Sequence, residues 1–122
     1  MPYREDELSP DNQITCVWEA GARLGEGPLW DPETETLFWV DIKGRALMRY
    51  RPGDGARLTL ALAEEIGCVA RRRNGGLIAA FGSGIGFLDG ETGDIEMLVA
   101  PESDLPGNRF NDGKCDRRGR LW

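Results

Sequence analysis

The stretch Tyr50-Arg51-Pro52-Gly53-Asp54-Gly55-Ala56-Arg57-Leu58 returns 38 residues later as Leu88-Asp89-Gly90-Glu91-Thr92-Gly93-Asp94-Ile95. Each copy runs from a strand-like residue into a Gly/Asp turn and out into a second apolar run, which reads as a hairpin. A second pair repeats over 43 residues, Arg72-Arg73-Asn74-Gly75-Gly76-Leu77-Ile78 returning as Cys115-Asp116-Arg117-Arg118-Gly119-Arg120-Leu121. Self-similarity at about 40 residues, with about four short strands in each period, is the spacing of a four-stranded propeller blade. The alternative is a β-sandwich whose hairpins happen to resemble one another.

Outward from these repeats the whole chain reads as short strands closed by turn residues. Strand-like runs cover 14–18, 27–30, 36–42, 46–51, 57–62, 67–70, 77–81, 85–88, 95–99, 113–116 and 120–122. No window of helical length carries a 3.6-residue period, and 61–66 is at most one helical turn. The class is all-β. At this period 122 residues hold about two and a half blades, whereas propellers close with about four to eight. The final Gly119-Arg120-Leu121-Trp122 also reads as a strand whose ladder partner is missing, an open edge. The expectation is therefore an N-terminal portion of a propeller over 14–122, preceded by a polar tail over 1–13. The remaining blades of the same protein would be its partners.

Composition narrows the functions. The 17 glycines and 7 prolines suit strands and tight turns. A net charge of −6, from 15 basic and 21 acidic residues, offers no dense basic surface for nucleic acid. Arg71-Arg72-Arg73 is the one basic cluster, and it reads as a solvated strand end. There is no histidine, so neither a Ser-His-Asp triad, a Cys-His pair nor a His-rich zinc site can be built. Cys16, Cys68 and Cys115 are far apart and form no C-x-x-C, which reads as buried free thiols in a reducing compartment. The tail has no apolar stretch of a signal peptide, and no apolar run approaches the ~20 residues of a membrane span. A soluble, cytoplasmic protein with no membrane partner is expected.

Two segments carry chemistry. In Leu24-Gly25-Glu26-Gly27-Pro28-Leu29-Trp30 a carboxylate sits between glycines ahead of an apolar strand. Glycines allow close approach, so Glu26 suits a buried ligand for a hard divalent cation. On the residues alone the commoner reading of one acid between glycines is a solvated turn glutamate. In Pro106-Gly107-Asn108-Arg109-Phe110-Asn111-Asp112-Gly113-Lys114-Cys115-Asp116, planar Arg donors and amides that both donate and accept suit sugar oxygens. The alternative there is a polar turn whose Arg and Lys form salt bridges.

These two segments, about 80 residues apart, together resemble the gluconolactonase/regucalcin (senescence marker protein) family of sugar lactonases. Leu-Gly-Glu-Gly-Pro-x-Trp followed by a hairpin and Phe38-Trp39-Val40-Asp41-Ile42 carries the resemblance. So does Asn108-Arg109-Phe110-Asn111-Asp112-Gly113-Lys114 followed by Asp116 and Gly119-Arg120-Leu121-Trp122. The resemblance implies a six-bladed β-propeller with one divalent ion (Ca, Zn, Mn or Mg) in its central channel. It implies Glu26 as a metal ligand, Arg109 and Asn111 as substrate-binding residues, and Asp112 beside them as a weaker candidate. The implied reaction is hydrolysis of a gluconolactone-like aldonolactone, with the metal polarising the carbonyl and an Asp exchanging protons. That Asp, like the remaining metal ligands, is expected beyond Trp122, so this chain alone is expected to be inactive. Two alternatives are a calcium-binding regulatory propeller without turnover and a protein-interaction propeller. The latter has only the Trp30-Asp31 pair in its favour.

Overall fold

The computed structural model describes residues 14–122, in which eight strands form two four-stranded antiparallel sheets and no helix. The first sheet runs in the order β1 (Gly25–Asp31), β2 (Thr36–Asp41), β3 (Ala46–Arg51), β4 (Ala56–Ala61). The second runs β5 (Ile66–Arg71), β6 (Leu77–Phe81), β7 (Ile85–Leu88), β8 (Ile95–Val99). Each sheet is a meander with neighbours in chain order, and each is one propeller blade. The all-β reading holds. The tail over 1–13 lies outside the described residues.

The repeats decide the fold through their turns. Gly55 and Gly93, both at positive φ, donate their N–H to the carbonyls of Arg51 and Asp89 at the same 2.9 Å. The 38-residue repeat is therefore a repeat of hydrogen bonds. The second repeat is corrected by one residue. Gly75 donates to the Arg72 carbonyl as Gly119 does to that of Asp116, so the true offset is 44. An offset of 43 pairs Gly76 with Gly119, but Gly75 and Gly76 are both at positive φ, and it is Gly75 whose N–H closes the turn as that of Gly119 does.

Alternation along β2 places Phe38 and Val40 on one face, and with Ile42 they pack against Leu47, Leu77, Ala79, Phe81 and Leu88. This is the core between the sheets. β5 departs from alternation: Ile66 through Ala70 are all buried. One side of β5 meets the first sheet. Its other side meets the segment 110–122, where the backbone of Phe110 and Asn111 lies against Gly67 and Gly113 against Cys68. A strand covered on both faces has no reason to alternate.

Several expectations are corrected. The run 14–18 is not a strand, because among the described residues no strand lies alongside to ladder with it. Instead Trp18 stands edge-on to Trp39 at 5.1 Å, and the Val17 carbonyl accepts a hydrogen bond from Arg57. Ile14 remains 82% exposed. The residues 61–66 form no helical turn, within the expected limit of one. At the other end 113–116 and 120–122 form a narrow hairpin through the Cys115–Leu121 bridge, not two full strands. Lys114 and Trp122 exchange both backbone bonds at 2.9 Å, so Trp122 is paired. Only Cys68 is a buried thiol, and burial pushes its pKa up; Cys16 and Cys115 are exposed.

Two of the three arginines in the run 71–73 are not solvated either. Arg71 of β5 reaches across to the first sheet, binding Asp31 at 3.0 Å and Glu33 at 3.1 Å. The Arg72 guanidinium lies 3.4 Å over the Phe87 ring. Arg71 and Arg72 lie where the two blades splay apart and find partners there, while Arg73 is exposed as expected.

Candidate functional site

Glu26 pairs with Val40 and Leu29 with Phe38, so Gly27 and Pro28 oppose the single residue Trp39. This is a β-bulge with its glycine at φ +64°, the kind that bends a strand and re-aims a side chain. β5 carries a bulge too, at Gly67 between the Ile66–Phe81 and Cys68–Ala80 pairs. The two innermost strands therefore kink near the same end. There the backbones close up: a Cβ on Gly27 would lie 3.9 Å from the Gly67 carbonyl oxygen, and one on Gly67 would strike the Asn111 carbonyl. Gly27, Gly67 and Asn111 thus lie in sequence across three consecutive inner segments. Their contact brings the two sequence motifs to one end of the strands.

Glu26 is half-buried beside this contact. Among the described residues no three His, Cys, Asp or Glu side chains gather around one point. As a hard oxygen donor at a bulge Glu26 fits one ligand position of a divalent cation, and further oxygens must come from elsewhere.

Arg109 and Asn111 are two residues apart in an extended segment and touch: the Arg109 Nη1 donates to Asn111 Oδ1 at 3.1 Å and to the Phe110 carbonyl at 3.1 Å. Arg109 Nε also lies 3.3 Å from Glu65 Oε2, in the connection leading into β5. The other Glu65 oxygen accepts from Lys43 at 2.9 Å. The Lys43 hydrogen bond is the main reason the Glu65 pKa falls below its ordinary value. Asp112 accepts from the N–H of its neighbour Gly113 at 2.8 Å and joins neither Arg109 nor Glu26 through any hydrogen bond.

Two aspartates of the motifs are structural. Asp41 is buried, and its carboxylate accepts N–H bonds from Arg23 and Leu24 at 3.0 Å and from Gly44 at 2.9 Å. Burial raises its pKa, but the backbone donors outweigh burial and hold it low. Asp41 thereby pins the segment leading to Glu26 onto the β2–β3 turn. Gly44 is required, since a Cβ there would collide with this carboxylate. Asp116 accepts the backbone N–H of Arg120 and Arg118, the Arg120 Nε and the Trp122 indole, which together hold its pKa at about 2.

Residues 24–122 match the SMP-30/Gluconolactonase/LRE-like region. The chain belongs to this family. Over 109 residues it is 40% identical to 6-deoxy-6-sulfogluconolactonase of Pseudomonas putida, covering 89% of this chain and 38% of that protein. It is 36% identical to regucalcin of Xenopus laevis over 109 residues, covering 89% of this chain and 36% of that one. The crystal structure of regucalcin from Agrobacterium tumefaciens, described as a calcium-binding protein, superposes with a TM-score of 0.76 at 35% identity. That match covers 81% of this chain and 34% of that structure. The chain therefore spans a little over a third of these relatives, and its two sheets are blades of the family's propeller.

Sequence reading missed Glu65. The acidic pair Glu64-Glu65 was visible, but nothing in the sequence ties Glu65 to Lys43 or Arg109, 22 residues before it and 44 after. Glu64 takes a different part, accepting from the Ser83 N–H and hydroxyl at 2.7 and 2.9 Å.

Proposed function

We propose that the whole protein hydrolyses a sugar lactone of the gluconolactone type with the help of one divalent cation (Ca, Zn, Mn or Mg). The observation that supports this reading is the close approach of the backbones at Gly27, Gly67 and Asn111, which brings the segments that carry Glu26, Arg109 and Asn111 to one end of the strands. Family membership and the lactonase name of the Pseudomonas putida relative support the substrate class.

Each residue then has a task. Glu26 gives one carboxylate oxygen to the cation, which when bound polarises the lactone carbonyl. The Arg109 guanidinium and the Asn111 amide hold the sugar ring by its hydroxyl and ring oxygens, orienting the carbonyl for attack by water. Hydrolysis adds water across the acyl C–O bond and opens the ring to the aldonic acid. The group that exchanges protons is assigned to the part of the protein beyond Trp122, so the 122-residue chain alone is expected to lack turnover. The Agrobacterium structure, described as calcium-binding, favours a second reading: a calcium-binding propeller without turnover.

A pH-stat assay with δ-gluconolactone, run with and without each cation, separates them. Metal-dependent acid release by the whole protein supports the lactonase. Calcium binding by calorimetry without acid release from any aldonolactone supports the second reading. Turnover by the 122-residue chain alone would mean the active site lies elsewhere.

A further inference from the structure

Three segments that are far apart in the chain meet at Glu65. Lys43 comes from the β2–β3 turn of the first blade, Glu65 from the connection into the second, and Arg109 from the segment beyond β8. Both Glu65 oxygens are used, Oε1 by Lys43 at 2.9 Å and Oε2 by Arg109 at 3.3 Å. The Glu65 backbone is fixed as well, its carbonyl accepting the Gly82 N–H at 2.9 Å. Arg109 therefore has its Nε side held by Glu65 and its Nη1 held by Asn111 and the Phe110 carbonyl.

A free arginine explores many rotamers, and a ligand that needs one of them must offset the ordering. Here the guanidinium is engaged along two of its edges, by hydrogen bonds at Nη1 and an ion pair at Nε, and the remaining Nη2 donors carry no partner among the described residues. Glu65 is itself steadied by Lys43, so the orientation of Arg109 is referred back to the blade that carries Glu26.

We propose that Glu65 is the positioning residue for Arg109, turning its guanidinium toward the ligand that Arg109 and Asn111 bind. The inference rests on the substrate role given to Arg109 above. Glu65 does not touch substrate; it sets how much of the binding free energy is spent on ordering Arg109. Its removal should weaken binding and leave the chemical step alone.

The test is a double-mutant cycle in the whole protein, with Glu65→Gln, Arg109→Ala and the pair, assayed on δ-gluconolactone. Glu65→Gln should raise KM about tenfold with kcat within about twofold, leave divalent-cation affinity by calorimetry unchanged, and have no further effect once Arg109 is alanine. Glu65→Asp, which keeps the charge but shortens the reach, serves the same cycle if the glutamine variant fails to fold. Lys43→Met is the structural control and should move KM less than Glu65→Gln. A turnover-free signature accompanies these: the Arg109 Nε–H resonance should be ordered on the nanosecond timescale in the wild type and mobile in Glu65→Gln. An Arg109 Nε–H already mobile in the wild type overturns the proposal, as do additive effects in the cycle or a Lys43→Met effect equal to that of Glu65→Gln. If Arg109→Ala leaves KM unchanged, the substrate role of Arg109 falls and the positioning role falls with it. If Arg109→Ala raises KM and Glu65→Gln does not, only the positioning role is lost.

Discussion

At the Asp31 end of the strands a groove of about 690 Å³ opens between the two blades, lined by Arg49, Arg71, Arg72, Phe38, Phe87 and Glu91 among others. Both sequence motifs lie at the Glu26 end, roughly 15 Å away along β1. The groove's charges are mostly satisfied by one another. Arg71 holds Asp31 and Glu33, and Arg49 holds Glu91 at 2.8 Å, donates to the Gly90 carbonyl at 2.9 Å and lies over Phe38. At the Glu26 end the half-buried Glu26 carboxylate makes no hydrogen bond among the described residues, and Arg109 is engaged by Glu65, Asn111 and the Phe110 carbonyl. Open volume marks where blades part at their lower ends; chemistry needs convergent groups with capacity left over. The Glu26 end is the better candidate site.

Substitutions at the two ends should separate these roles. The largest effect is expected from Glu26→Gln, which in the whole protein should cut lactone kcat/KM on the order of a hundredfold or more and weaken cation binding by calorimetry. The metal-free melting temperature should stay close to wild type. Unchanged cation affinity would remove Glu26 from the site and erase the contrast between the ends.

Gly67→Ala comes next, because its Cβ would meet the backbone carbonyls of Phe110 and Asn111, which cannot swing aside as a side chain could. A loss of about 3 kcal/mol in urea unfolding is expected, with lowered turnover because Arg109 and Asn111 move with that backbone. A variant of normal stability and activity would show that the inner segments are free to separate.

Asp41→Ala should cost about 2 kcal/mol by the same measurement, since three backbone donors lose their acceptor. At the opposite end Arg71→Ala should cost only about 1 kcal/mol, its ion pairs being partly solvated, and should leave lactone kinetics untouched. An Arg71→Ala enzyme with raised KM would bring the groove into the functional site.

Acid should produce the smallest and least selective difference. The pKa values of Asp41, Glu65 and Asp31 are lowered, and that of Asp116 lies at about 2. A carboxylate depressed in the folded state contributes stability above its unfolded value of about 4 and loses it as pH falls toward the folded value. Stability should therefore be flat from neutrality down to about pH 4 and fall steadily below it. Asp116→Asn should flatten that fall, followed by tryptophan fluorescence. A loss of stability beginning near pH 6 would point to other groups.

Local rules made much of the fold legible. The bounds of β3, β6, β7 and β8 follow from apolar runs closed by Gly/Asp turns, and glycines at positive φ encode the 38-residue repeat in the chain itself. The motif around Glu26 was legible because a carboxylate between glycines is a local arrangement. What the chain could not reveal locally was pairing across blades. Whether 14–18 becomes a strand depends on a neighbour to ladder with. Whether Arg71 meets water or Asp31 depends on how two sheets splay.

By itself, then, the sequence determined the strands, the turns and the residues at the two motifs, because those depend on backbone preference and alternation within a few positions. Only the tertiary structure decided the bulges at Gly27 and Gly67 as points of contact, the burial of β5 on both faces, and the meeting of Lys43, Glu65 and Arg109. These rest on packing and charge pairing between segments 20 to 45 residues apart. Such pairs are fixed by where whole blades come to rest against one another, and no short-range pattern encodes that distance.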